Sequence, residues 1–187
     1  MNILEIFTNS ILLIITLDNE LWDIILLSLF VSFTALIIAS LLGFIVGYYF
    51  AIYNFYFKKI ILIIINSLMG IPPVVVGLIV YFIFASGGPL GILQLLYTPS
   101  AMIIAQTIII FPIIASLSHE IFSKNWFEFK DQIRSLNIPF WGSVKLLFNH
   151  SYFLLITTLL SAFGRAISEV GAVMIVGGNI DHYTRVM

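Results

Sequence analysis

The chain has 187 residues, of which 61% are hydrophobic and 9% are charged, and its formal net charge is −1. A soluble domain of this size could not cover such a composition with a polar surface, so the sequence is that of an integral membrane protein. The near-zero charge gives no reason to expect a nucleic-acid partner. The absence of cysteine excludes disulfides and thiol chemistry.

The apolar stretches predict one all-α membrane domain over residues 1–187. Segment 3–17 is short and interrupted by polar residues, which favours a helix lying at the membrane surface. A spanning helix needs about 20 mainly apolar residues. Four stretches have that length, namely 21–50, 60–85, 100–122 and 151–176.

The basic residues predict how these spans are oriented, because cytoplasmic loops are enriched in lysine and arginine. Six of the eight basic residues lie between spans one and two or between spans three and four: Lys58, Lys59, Lys124, Lys130, Arg134 and Lys145. Loop 86–99 contains no charged residue, and the charged residues at the start of span one are all acidic. We therefore expect both basic loops in the cytoplasm and the N-terminus outside.

Spans one to three contain glycines, prolines and polar residues that are unusual in a simple apolar helix facing lipid. Gly43 and Gly47 form a GxxxG pattern in span one, typical of close helix packing within a chain or across a dimer. Pro72 and Pro73 interrupt span two, as a gate or as a static bend. Several residues at membrane depth are polar, namely Asn66, Ser67, Gln106 and Thr107. Interhelical hydrogen bonds explain them most simply, and lining a translocation path is the alternative; spacing does not decide between the two.

The long basic loop, 123–150, is predicted to form two short helices separated at Asn137-Ile138-Pro139. Asparagine tolerates the left-handed conformation that ends helices. Proline cannot continue a helix but suits the first turn of the next one. The second helix has apolar residues at helical spacing, namely Phe140, Trp141, Val144, Leu147 and Phe148. Docking on a partner protein and lying on the membrane both fit this pattern.

Span four contains two opposite charges four residues apart, Arg165 and Glu169. A charge at the bilayer centre costs roughly 3 kcal/mol or more, and charges one helical turn apart can pair. Gly164, Ser168 and Gly171 lie along one side of the same helix. We predict that these five residues line a translocation path. The alternative is an architectural ion pair that never meets substrate.

Several blocks of the chain resemble permeases of ABC importers. Residues 131–137 resemble the EAA loop of that family, with Asp131 in place of Glu and Asn137 in place of Gly. Residues 163–180 closely resemble the signature block of oxyanion permeases, particularly the tungstate type. Residues 70–78 and 88–91 resemble further blocks of the same subfamily, in the same order.

The resemblance implies a type I ABC-importer permease, a helical bundle with a five-helix core that dimerises. Residues 181–187 look like a loop leading to another helix, so the last core helix is expected beyond this sequence. The substrate would be tungstate or molybdate, between which the residues do not discriminate. The expected cellular location is the cytoplasmic membrane of a bacterium or archaeon.

The resemblance also implies partners. The chain has no G-x-x-x-x-G-K-[ST] loop, so it is expected to be no enzyme and to hold no cofactor, with ATP and Mg bound by a separate ATPase. The residues implied in coupling to that ATPase are Asp131, Arg134, Ser135, Leu136 and Asn137. An extracytoplasmic oxyanion-binding protein, a second permease copy and lipid are the other expected partners.

Other classes of membrane protein fit the residues less well. A secondary transporter would carry a coupling-ion site and often inverted repeats, and no convincing internal repeat is present. An intramembrane enzyme built on Ser168 lacks a base in reach, because His119, His150 and His182 fall near span ends. No cluster of residues has metal-ligand spacing. A non-transporting assembly subunit is a further alternative.

Overall fold

A computed structural model describes residues 19–181 and 183–186. The predicted surface helix at 3–17 and His182 lie outside these residues. All regular structure in the described part is helical, which confirms the predicted all-α class. The helices are α1 (Asn19–Ile52), α2 (Lys58–Leu68), α3 (Pro73–Phe84), α4 (Pro99–Ser135), α5 (Phe140–Ser168) and α6 (Val170–Gly177), with a short 3₁₀ turn at Gly91–Leu93.

Three of the described helices, α1, α4 and α5, are long and apolar enough to cross a membrane. Helices α2 and α3 occupy the region predicted as one span at 60–85. They pass the same test only as a pair, and they are bent by 103° relative to each other. The chain is therefore a multi-pass helical membrane protein, and the stretch predicted as its second span is bent sharply between α2 and α3.

Helix α1 packs along α4 through its two glycines. A Cβ atom on Gly43 would lie 2.8 Å from Cγ2 of Ile114, and one on Gly47 would lie 2.9 Å from the backbone nitrogen of His119. The hydroxyl of Ser118 donates a hydrogen bond of 3.2 Å to the carbonyl of Gly43. The GxxxG pattern therefore packs two helices within the chain.

The region predicted as a separate loop, 123–150, differs from the expected pair of short helices. Helix α4 continues without interruption to Ser135, and α5 begins at Phe140 and runs on into the membrane. The reason is local, because no glycine or proline lies between Pro112 and Pro139. At 37 residues, α4 is about 56 Å long and exceeds the roughly 30 Å of hydrocarbon in a bilayer.

The turn between α4 and α5 forms where the sequence predicts it. Asn137 adopts a left-handed φ of 49°, and Pro139 precedes the first residue of α5. Behind this turn Tyr48, Phe122 and Leu147 form a buried cluster that joins α1, α4 and α5. A hydrogen bond of 3.1 Å joins the hydroxyls of Tyr48 and Ser143. The turn is thereby fixed to the membrane helices.

Candidate functional site

The fourth predicted span is also broken, between α5 and α6, at Glu169. Its backbone has φ −94° and ψ 81°, outside the helical region. The hydroxyl of Ser168 donates to the carbonyl of Arg165 at 2.9 Å, and the N–H of Glu169 donates to the carbonyl of Ala166 at 3.3 Å. Serine offers the backbone such an alternative to helical bonding, so the break needs neither glycine nor proline at its centre.

Arg165 and Glu169 form an ion pair across this break, as the sequence predicts. A guanidinium nitrogen of Arg165 lies 2.9 Å from Oε1 of Glu169. The side chain of Arg165 is 38% exposed, whereas that of Glu169 is 12% exposed. The carboxylate is thus the more deeply buried partner, and the guanidinium lies nearer the open surface of the isolated chain.

The two charged residues line different cavities. Arg165 lines a cavity of about 280 Å³ between α4 and residues 69–72, the bend that joins α2 to α3. We call this the Arg165 cavity; Met69, Ile71 and Thr107 also line it. Glu169 lines a smaller cavity of about 50 Å³ with Ser32 and Gln106, the Glu169 cavity. The ion pair therefore joins an apolar cavity to a more polar one.

Gln106 is bonded across helices, as predicted, and its partner is the broken helix itself. Gln106 is buried, with 2% of its surface exposed. Its Nε2 donates to the carbonyl of Ala166 at 2.6 Å and to the hydroxyl of Ser32 at 3.2 Å. Its Oε1 has no partner among the described residues. The depth of this glutamine in the membrane could be predicted from the sequence, but its bond to the carbonyl of Ala166 could not.

The other polar residues at membrane depth divide into two kinds. Asn66 accepts a hydrogen bond of 2.5 Å from Ser116, which joins α2 to α4. The hydroxyls of Ser67 and Thr107 instead donate to carbonyls of their own helices, at 2.8 Å and 2.7 Å. The predicted interhelical bonding is therefore correct for Asn66 and wrong for Ser67 and Thr107 in the described structure.

Neither the Arg165 cavity nor the Glu169 cavity contains all five predicted path residues. Gly164 and Ser168 are exposed on the outer side of α5, and no heavy atom of the described residues lies within 4 Å of a Cβ built on Gly164. Gly171 instead faces α3, where its Cβ would lie 3.2 Å from Val74. Of the five, Arg165 lines the Arg165 cavity and Glu169 lines the Glu169 cavity.

The prolines of span two begin a helix. Pro72 is extended, with φ −60° and ψ 131°, and precedes Pro73, the first residue of α3. Helix α3 then packs closely on α6, because a Cβ on Gly77 would lie 2.9 Å from Cα of Ala172. At its far end α6 is held by the N–H of Tyr97, which donates to the carbonyl of Val176 at 3.0 Å. Helix α6 is thus fixed at both its middle and its end.

The predicted coupling residues Asp131, Arg134, Ser135, Leu136 and Asn137 are all exposed and lie together at the end of α4 and its following turn. Leu136 is 71% exposed, and Trp141 on the next helix is 78% exposed. Ile133, which lies between Asp131 and Arg134 in sequence, is buried and anchors the turn. The turn therefore presents charged and apolar groups on a fixed support.

Among the described residues, no group of three or more His, Cys, Asp or Glu could hold a metal ion.

No protein-family model matches the chain. The chain is 40% identical over 185 residues to the tungstate uptake system permease protein TupB of Peptoclostridium acidaminophilum, covering 99% of this chain and 81% of that protein.

Two further relatives match less of the chain. A probable anion ABC transporter permease protein of Haloferax volcanii is 38% identical over 153 residues, which are 82% of this chain and 66% of that protein. The TupB protein of Campylobacter jejuni is 38% identical over 134 residues, which are 71% of this chain and 56% of that protein.

Proposed function

The chain belongs to the family of tungstate and anion permeases of ABC transport systems, and we propose that it is the transmembrane subunit of an importer that moves an oxyanion into the cytoplasm. Tungstate is the favoured substrate because two of the relatives carry that name, and molybdate shares its tetrahedral dianionic chemistry. The observation that carries the proposal is the Arg165–Glu169 pair at the break in the fourth span.

Arg165 supplies what a translocating oxyanion needs. Guanidinium is always charged and offers several N–H donors in a planar fork that suits anionic oxygens. It lines the Arg165 cavity, whose other walls are mainly apolar. Glu169, at 2.9 Å, offsets part of its charge. An anion would therefore be attracted without being held too tightly to leave.

A second copy of the chain would complete the path. Thr157, Ser161, Gly164 and Ser168 are exposed, and their spacing places them on one face of α5. We call this face the outer stripe. Small polar residues suit a helix–helix contact or a polar channel better than lipid. A homodimer that meets at the outer stripe would enclose a path beside Gly164 and Ser168, with the remaining apolar surface facing lipid.

Energy would come from a separate ATPase that docks on the turn at 131–137. This turn connects α4 and α5, which both continue into the membrane, so its displacement would move both helices as rigid bodies. The proposed orientation puts this turn in the cytoplasm and the N-terminus outside, where a binding protein would deliver the anion. The permease itself would have no catalytic role.

The test is uptake of radioactive tungstate by vesicles containing this permease, its ATPase and its binding protein. Arg165→Ala and Glu169→Ala should each reduce uptake by about tenfold or more, and Arg165→Lys should reduce it less, because lysine keeps the charge but loses the fork. Arg185→Ala is the matched control, since Arg185 pairs with Asp181 in the same i,i+4 geometry at 3.0 Å but is more exposed. Unchanged uptake in Arg165→Ala, Glu169→Ala and Arg165→Lys, at equal protein levels, would refute the role of the pair.

A further inference from the structure

We propose that Gln106 is a positioning residue for transport, which keeps the fourth span broken at Glu169 and so sets the Arg165–Glu169 pair. This inference rests on the proposed transport function, but its structural part can be tested without transport.

The first step concerns the carbonyl of Ala166. In a continuous helix this carbonyl would accept a hydrogen bond from the N–H of Val170. Because α5 ends at Ser168 and α6 begins at Val170, the break interrupts that ladder. A carbonyl freed inside a membrane must find another donor. Two donors replace Val170: the N–H of Glu169 at 3.3 Å and the Nε2 of Gln106, which makes the shorter bond at 2.6 Å.

The second step concerns the direction of the amide. A carbonyl can only accept, so Ala166 requires the NH₂ end of Gln106 to face it. This orientation leaves Oε1 buried and without a partner among the described residues. An apolar side chain would avoid that cost. The buried amide of Gln106 therefore contributes little to the stability of the fold. Its presence at the helix break is better explained by its effect on the position of Ala166 and of the residues that follow.

The third step concerns what the break positions. Helix α6 is seated on α3 through Gly77 and Ala172, and its first residue directly follows Glu169. Joining α5 to α6 as one straight helix would move Glu169 relative to Arg165 and to the Glu169 cavity. Without Gln106, the broken form leaves Ala166 only the 3.3 Å bond from the N–H of Glu169. The joined helix offers the same carbonyl the N–H of Val170 in regular geometry, and is then favoured.

The experiment measures the shape of the span directly. Because the chain has no native cysteine, cysteines at Leu160 on α5 and Met174 on α6, both exposed, can carry spin labels. The labelled chain is assembled into the complete transporter and diluted with unlabelled copies. The separation is then measured by pulsed electron resonance, with about 21 Å along the axis expected for a continuous helix.

Gln106→Leu should shift this separation towards that of the continuous helix and lower uptake by about tenfold or more. Adding Val170→Pro should reverse both effects, because proline has no N–H to join the helices and suits a first helical position. Thr158→Val is the control, since Thr158 is buried on α5 and, among the described residues, its hydroxyl bonds only to the carbonyl of Leu154 in its own helix.

An unchanged separation in Gln106→Leu overturns the proposal, whether or not uptake falls. Failure of Val170→Pro to restore the separation does so as well, because Gln106 would then act other than by holding the break. A shifted and restored separation in a wild-type protein that moves no oxyanion would instead support the role of Gln106 in shape and refute the proposed function.

Discussion

Removing either member of the Arg165–Glu169 pair should destabilise the protein unequally, because their side chains are 38% and 12% exposed. Arg165→Ala leaves the more buried carboxylate without its partner, and breaking a buried pair in this way costs about 3–5 kcal/mol. Glu169→Ala leaves a guanidinium that is partly exposed and whose long side chain can reach polar surroundings, so we expect roughly 2 kcal/mol.

The double variant Arg165→Ala, Glu169→Ala separates architecture from transport. It carries neither charge, so it should be more stable than Arg165→Ala alone, with a coupling free energy of about 1–3 kcal/mol. Arg185→Ala removes a pair whose side chains are 49% and 63% exposed, so it should cost about 0–1 kcal/mol.

The assay is denaturant unfolding of the purified chain in lipid nanodiscs, with uptake measured on the same variants. Equal losses in the two single variants would refute the reasoning from burial, as would a double variant whose loss equals the sum of the single losses. If the double variant is stable and still transports oxyanion, the pair is architectural and Arg165 has no place in the path.

Three further predictions concern packing and coupling. Gly47→Ala should destabilise the monomeric chain by about 1–3 kcal/mol through overpacking. Gly164→Ala should be neutral or stabilising in the monomer, because there its Cβ meets open space; equal melting temperatures of the two monomeric variants would contradict this. Asn137→Ala should cost about 1 kcal/mol at its left-handed φ of 49° and Asn137→Gly should not, as thermal unfolding would show. Ser135→Cys should crosslink to a cysteine in the ATPase cleft with a yield that depends on nucleotide, and a nucleotide-independent yield would count against docking there.

The sequence predicts features whose cause is local. The turn at Asn137 and Pro139 follows from two residues with strong conformational preferences, and the structure has it at that position. The Arg165–Glu169 pair follows from i,i+4 spacing alone. Pro72 and Pro73 likewise mark an interruption of span two, although the 103° angle depends on how α3 packs.

Features that depend on distant residues could not be predicted in this way. The break at Glu169 is stabilised by Gln106, which is 60 residues from Ala166 in sequence. The GxxxG pattern of α1 predicts close helix packing, but only the fold shows that these glycines pack against Ile114 and Ser118 of α4. The division of Arg165 and Glu169 between two cavities arises from the packing of six helices, which spacing along one helix does not reveal.

The most direct measurement is the energy requirement of oxyanion movement by the assembled permease, ATPase and binding protein in sealed vesicles. Our account predicts that tungstate accumulates only when ATP is present on the side of the 131–137 turn, and that an ATPase variant unable to hydrolyse ATP abolishes accumulation. Accumulation driven by an ion gradient without ATP would contradict it, as would ATP hydrolysis by the assembly with no movement of oxyanion.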